Sequence, residues 1–387
     1  MVWFLSECMS NYGEEKVASL KKELGFTEII FCPEMNEIRD QIGNNVAFMA
    51  PYLPDRKLRP LFVVKELPNL HGVLTKQEYD YKVPPEKALY ARLGLKVEKP
   101  TKTFSNLGGA LRLKEWTKEV SAILLRGGRI KGAFLVGPTG SGKTNFVEAF
   151  AGELKRTLVY LNLPLLMYMD NPIDKLWGVF SYLEKQTKVG GKFVVLADEF
   201  EKMVDVEDGS PIQKQFLGQL LTILNDFNTP SGFQIDMVMF ATVNKLSMIL
   251  DNNPELLRHG RWSAKFFLNY PNEAEALSIY ALYAKQWGVR YFLDEKGQPK
   301  DVALRQLYSD VRSTYRDDNF TAGLSVYSPA EINALMERLY TRELANNGVL
   351  SDTIIKDTIS LIIPIQKTAS MGVARQIKDA EYGFEEC

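Results

Sequence analysis

The sequence predicts an α/β fold: a doubly wound, mostly parallel sheet, with a helical lid after it and a small α/β domain before it. Three observations predict this. Five apolar runs, Ala133–Val136, Thr157–Leu161, Phe193–Ala197, Met237–Ala241 and Lys265–Leu268, alternate with segments of helical pattern. The first run stops at a glycine-rich turn that opens into an amphipathic segment carrying Phe146, Val147 and Phe150. From Pro271 onward the apolar positions recur at helical spacing. A length of 387 residues suits two or three domains, and 45% hydrophobic with 25% charged residues is the composition of an ordinary globular chain.

In chain order, Val2–Leu5 reads as a short strand. Glu14–Leu24 reads as a helix with Val17, Leu20 and Leu24 on one face and Gly25 as its stop. Phe26–Cys32 and Leu61–Val64 read as further strands, so residues 1–80 are expected to form the small α/β domain. Its reading is a partner-binding module or a packing appendage. Residues 81–103, with Pro84, Pro85, Pro100 and several lysines, read as a linker with a helix over Glu86–Leu93. The sheet domain is expected over 104–270. The lid is expected over 271–365, with helices at Glu273–Trp287 and Pro329–Asn346, and a tail over 366–387.

The glycine-rich turn, Gly137-Pro138-Thr139-Gly140-Ser141-Gly142-Lys143-Thr144, fits G-x-x-x-x-G-K-[ST] between a strand and a helix. That pattern predicts the fold of a P-loop NTPase. Glycines let backbone N–H groups line a concave anion site, and the helix N-terminus adds positive charge there. Lys143 would reach the β- and γ-phosphates, and Thr144 would bind Mg²⁺. The third apolar run ends in Asp198-Glu199, beyond one intervening strand from Lys143. Asp198 would hold Mg²⁺, and Glu199 would activate an attacking water as general base. The fourth run ends at Asn244, whose amide could hold that water. Arg258 and Arg261 flank a glycine turn. They could not easily reach their own phosphate loop but could supply charge to a neighbour's.

Other classes are disfavoured. Cys8, Cys32 and Cys387 lie far apart, which suits a reducing compartment and no disulfide framework. With two histidines, His71 and His259, a His-based centre has few ligands. No run of eighteen apolar residues occurs, so no membrane span is expected. The first fifteen residues lack a basic stretch and turn acidic, so the expectation is a cytoplasmic protein without a signal peptide. A net charge of −1 gives no global pull toward nucleic acid.

Taken together, these segments resemble the AAA branch of the AAA+ ATPases over about residues 104–345. Asn106-Leu107-Gly108-Gly109 is similar to the family's Asp-x-Gly-Gly, with Asn in place of Asp. Gly137–Thr144 resembles Walker A and Phe193–Glu199 resembles Walker B. Gln219–Thr222 resembles the helix that follows. Asn244 resembles sensor 1, and Arg258–Trp262 resembles the arginine-finger segment. Tyr327–Ile332 resembles the start of the sensor-2 helix, with Pro329 in place of a small glycine. A narrower resemblance, to stand-alone AAA proteins of plastids, cyanobacteria and other bacteria, rests on the short N-terminal part, Leu113–Trp116 and Phe200–Lys202.

The resemblance implies ATP with Mg²⁺, bound by Gly108, Gly137, Pro138, Thr139, Gly140, Ser141, Gly142, Lys143, Thr144, Asn145 and Ala330. Tyr283 falls where members place a base-contacting residue; core packing is its other reading. Catalytic roles carry over to Glu199, Lys143, Asn244, Arg258 and Arg261, and metal binding to Thr144 and Asp198. The implied working form is a homo-oligomer, a hexameric ring acting on a protein substrate or adaptor. Tyr168 and Met169 occupy the first pore-loop position, but no glycine follows them. Asp205–Gly209, the second, is acidic and disfavours a nucleic-acid backbone. Two rival readings stand beside the remodeller: a nucleotide-gated scaffold with slow turnover, which Pro329 and the atypical pore loop favour, and a nucleic-acid motor or loader, which the charge disfavours.

Overall fold

The computed structural model describes residues 2–5, 28–31, 47–49, 61–64, 72–74, 93–203, 211–227, 229–258, 260–315, 323–381 and 383–387. They belong to two compact units, residues 1–92 and 93–387. The first contains a five-stranded mixed sheet of β1 (Val2–Leu5), β2 (Glu28–Phe31), β3 (Ala47–Met49), β4 (Leu61–Val64) and β5 (Gly72–Leu74), in the order β2-β1-β4-β3-β5. β1 runs parallel to β2 and antiparallel to β4, and β3 runs antiparallel to β4 and parallel to β5. The strands expected at the start of the chain, around residue 29 and at 61–64 are present. β3 and β5 have three residues each, too few for an alternating pattern to register. The helix read over Glu14–Leu24 and residues 86–92 of the one before Leu93 lie outside the described residues.

The second unit is built on a seven-stranded sheet. Its strands are β6 (Leu95–Glu98), β7 (Gly132–Val136), β8 (Thr157–Leu161), β9 (Phe193–Ala197), β10 (Met237–Val243), β11 (Ala264–Phe267) and β12 (Glu385–Glu386). They lie in the order β12-β11-β7-β10-β9-β8-β6, and all pairs are parallel except β6 with β8. Every residue of β7, β9 and β10 is buried, which is why these strands read as unbroken apolar runs.

Two expectations change here. Leu95–Glu98, read as linker, is an edge strand, because Leu95 and Val97 pair with Leu161 and Val159 across an antiparallel register. Residues 366–387, read as a tail apart from the sheet domain, contribute to the same sheet. Their backbone adds β12 to β11, and their helices pack ahead of that strand.

Helices α1 (Leu111–Leu125), α2 (Lys143–Glu153), α3 (Leu163–Met167), α4 (Pro172–Lys188), α5 (Pro211–Asp226) and α6 (Leu246–Asn252) connect the strands. α4 buries Leu176, Val179, Phe180 and Leu183, an i, i+3, i+4, i+7 stripe. On one side of the sheet Trp116 stacks on Phe150 at 5.8 Å and meets Phe240 and Phe266 edge-on at 6.0 and 5.4 Å. Such pairs add about 0.5–1.5 kcal/mol each beyond the area they bury.

The lid has its own core. It comprises α7 (Glu273–Trp287), α8 (Asp301–Thr314), α9 (Pro329–Ala345) and α10 (Asp352–Ser360), and is followed by α11 (Ile365–Thr368) and α12 (Ser370–Ala380). Ile279, Tyr280, Leu307, Val311, Ile332 and Leu335 are buried at its centre. α7 and α9 start with reciprocal caps, Asn272 with Glu275 and Ser328 with Glu331. Pro329 takes the first helical position of α9, where its missing N–H costs nothing and its φ is already helical. Glu331 is buried. One carboxylate oxygen accepts from Ser328 N at 2.8 Å, the other from Ile365 N at 2.7 Å, so it joins α9 to α11. No helix among the described residues is long and apolar enough to cross a membrane.

Candidate active site

The carboxyl ends of β7, β9 and β10 converge below the lid on a cavity of about 450 Å³. The turn after β7 and the first residues of α2 supply Thr139 to Asn145 to its wall. Gly142 stands at φ +95° and caps α2 in a conformation that side chains rarely adopt. α2 begins at Lys143. Its side chain is 5% exposed, and Nζ donates to the carbonyls of Gly137 at 2.7 Å and Pro138 at 2.9 Å. Burial lowers the ammonium's pKa from 10.5 to about 8, against the pull of Glu201, Asp198 and Glu199.

Because β10 lies between β7 and β9, the acids after β9 face the start of α2 across one strand. Thr144 Oγ1 donates to the Asp198 carboxylate at 3.0 and 3.2 Å. Thr242, buried in β10, donates to Asp198 Oδ1, and its Oγ1 accepts from Glu199 N at 3.0 Å. One hydroxyl therefore fixes both acids. Glu199 is in the left-handed region at φ +52°, and its carboxylate is paired with Lys202. Asn244 lines the cavity beside them, and its backbone N–H donates to Glu201 Oε1 at 3.1 Å. Glu201 is buried. Its Oε2 has no hydrogen-bond partner among the described residues, and burial raises its pKa.

The other wall comes from the segment before α1 and from the lid. Gly108 lies against α7 so closely that a Cβ would come 2.9 Å from Ile279 Cα, and Gly109 N donates to Ser278 Oγ at 3.0 Å. Ile279, Leu282 and Tyr283 give this end an apolar surface, and Tyr283 is half-buried. At the start of α9, Ala330 N donates to Gly140 O at 3.2 Å, so the lid touches the phosphate loop directly. An oxygen donor pair at one end and an apolar slot at the other suit a Mg²⁺-bound nucleoside phosphate.

The ATPase family associated with various cellular activities (AAA) matches residues 133–270. The chain carries an AAA domain. It is similar to the ATP-dependent zinc metalloprotease FtsH of Heterosigma akashiwo, 29% identical over 196 residues, 47% of this chain and 28% of that protein. It is also similar to FtsH of Cyanidium caldarium, 26% identical over 198 residues, 47% of this chain and 30% of that protein. Against the 26S protease regulatory subunit 6A of Caenorhabditis elegans it is 26% identical over 227 residues, 54% of this chain and 48% of that protein. The chain thus spans less than half the length of each of these relatives.

Within and beside the AAA domain, the cavity brings together Gly108, Thr139–Asn145, Asp198, Glu199, Asn244, Tyr283 and Ala330. Gly137 and Pro138 do not line it; their carbonyls hold Lys143 from behind. A Cβ on Gly137 would lie 2.2 Å from Leu268 O, so that glycine serves strand packing. Arg258 and Arg261 are away from this cavity. Arg258 is exposed, whereas Arg261 is 8% exposed and turned into its own chain, with Nε donating to Asn225 Oδ1 at 3.3 Å and a second donor on Glu255 O. Asn106 caps its own turn, accepting from Thr103 N at 3.0 Å. Tyr168 ends α3 at 79% exposure, which excludes a core role, and the acidic stretch after Val204 lies outside the described residues.

Sequence reasoning missed Lys102, Asn269, Glu275, Ile279, Leu282, Asn333 and Cys387, which also line the cavity. Ile279 carried a signal, since it lies four positions before Tyr283 on one helical face. Lys102 and Cys387 belong to no motif.

Proposed function

We propose that this chain is an ATP-hydrolysing AAA protein that assembles into a ring and remodels a protein partner. The observation that carries it is the cavity itself. Phosphate loop, the Thr144–Asp198 pair, Glu199 and Asn244 all border one space that the lid closes from above. Relatives whose names describe ATP-dependent proteolysis or its regulatory subunit support a protein substrate.

In this reading the adenine lies in the slot formed by Gly108, Ile279, Leu282 and Tyr283. The phosphates follow the N–H groups of Thr139 to Thr144. Thr144 and Asp198 would hold Mg²⁺, which when bound neutralises charge on the β- and γ-phosphates. Glu199 takes a proton from a water that Asn244 orients. The water oxygen bonds to the γ-phosphorus as the bond to the β-γ bridging oxygen breaks, giving ADP and phosphate. Lys143 and an arginine of the neighbouring subunit stabilise the charge. The exposed Arg258 suits that reach, and the inward-turned Arg261 suits holding the Arg258 turn on α5.

The test is ATP turnover per subunit against protein concentration, with Glu199→Gln as control. The native rate is expected to climb and saturate. Glu199→Gln is expected to lose at least about 100-fold while still binding ATP. A rate independent of concentration would remove the ring, and undiminished turnover in Glu199→Gln would remove the base.

A further inference from the structure

The cavity contains a second lysine besides the one in the phosphate loop. Lys102 lies ahead of the glycine pair, and its half-buried side chain lines the same space. The ammonium is held firmly. Nζ donates to Asn145 Oδ1 at 2.8 Å and to Glu148 Oε2, two residues three apart on one face of α2. The other oxygen of Glu148 accepts from Tyr160 Oη at 2.7 Å, on β8. Burial and then the bond to Glu148 raise the pKa of the Tyr160 hydroxyl, so it remains a donor. The backbone is equally fixed, because the Lys102 carbonyl lies where a Cβ on Gly152 would be, 1.9 Å away. An ammonium has three donors, and two are used.

Position along the cavity decides what the third can meet. Lys143, Thr144 and Asp198 mark the phosphate end, and Leu107, Ile279 and Tyr283 mark the apolar base end. Lys102 and Asn145 line the same space, joined to each other by a hydrogen bond, and the chain ties each to one of those ends. Asn145 adjoins Thr144 in sequence, and Lys102 leads into Leu107. In a nucleotide the sugar joins base to phosphate. We propose that Lys102, positioned by Asn145 and Glu148, donates a hydrogen bond to a ribose hydroxyl and makes the site discriminate against a nucleotide that lacks that hydroxyl. This rests on reading the cavity as a nucleotide site.

The test is titration calorimetry of the full chain with ADP, 2′-deoxyADP and 3′-deoxyADP. The native chain is expected to bind ADP about tenfold tighter than at least one deoxy analogue. Lys102→Met is expected to bind ADP about tenfold more weakly and to lose the discrimination. Tyr160→Phe leaves the ammonium in place but frees Glu148. It is expected to reduce the ratio about twofold, and it serves if Lys102→Met does not fold. Equal affinity of the native chain for all three, or an unchanged ratio in Lys102→Met, overturns the ribose contact and leaves the nucleotide site standing. Binding of none of the three by the native chain overturns both.

Discussion

At the scale of single residues, the site works through groups held by second partners. Thr242 is the clearest case, because one hydroxyl serves both Asp198 and the Glu199 backbone. Thr242→Val keeps the shape and removes both bonds. Turnover is expected to fall about 10- to 100-fold with ATP affinity nearly unchanged, and Thr242→Ser to recover most of it; an affinity loss as large as the rate loss would sink this account.

Lys143 makes a pH prediction. Its pKa of about 8 in the folded chain is below the ordinary 10.5, so between those values the unfolded state binds more protons. This lysine's contribution to stability therefore rises with pH through that window and is lost as pH falls through about 8. Phosphates favour the ammonium, so nucleotide binding near pH 9 is expected to take up protons and weaken as pH rises. Calorimetry in buffers of different ionisation enthalpy would measure the uptake, and its persistence in Lys143→Met would refute the assignment.

At the scale of elements, the lid reaches the loop through two close contacts, Gly108 against α7 and Ala330 N on Gly140 O. Gly108→Ala places a methyl 2.9 Å from a backbone atom, which no rotamer change relieves. A stability loss of about 1–3 kcal/mol is expected. Thermal unfolding checks it, and an ATP titration should show the affinity weakened about tenfold as α7 shifts.

Elements were also where the sequence was most legible. β7, β9 and β10 are buried on both faces, so apolar runs revealed them, and apolar residues at helical spacing revealed α7. β6 was hidden because its residues, Leu-Lys-Val-Glu, alternate as an edge strand over only four positions, just before Pro100. The motif residues of the site were legible because loop geometry demands those residue types. Lys102, Asn269 and Cys387 were not, because only tertiary contact brings them to the cavity.

At the scale of the whole molecule, the proposed ring makes each site depend on two subunits. Arg258→Ala is expected to lower turnover about 1,000-fold without weakening nucleotide binding. Mixing Arg258→Ala with Glu199→Gln subunits should restore part of the rate, because some sites then pair an intact Glu199 with a neighbour's intact Arg258. No recovery on mixing would place Arg258 within its own subunit's chemistry or outside catalysis altogether.

The short strand β12 has a different consequence. Without it, the main chain of Phe266 and Phe267 in β11 would present unpaired N–H and C=O groups along the side of a large sheet. Such an edge recruits strands from other molecules. β12 covers those positions and turns two glutamates outward, with Glu385 tied to Arg112 at 2.8 Å and Glu386 to Asn269 at 2.8 Å. Removing residues 383–387 is therefore expected to show as aggregation on concentration well before it shows as lost secondary structure.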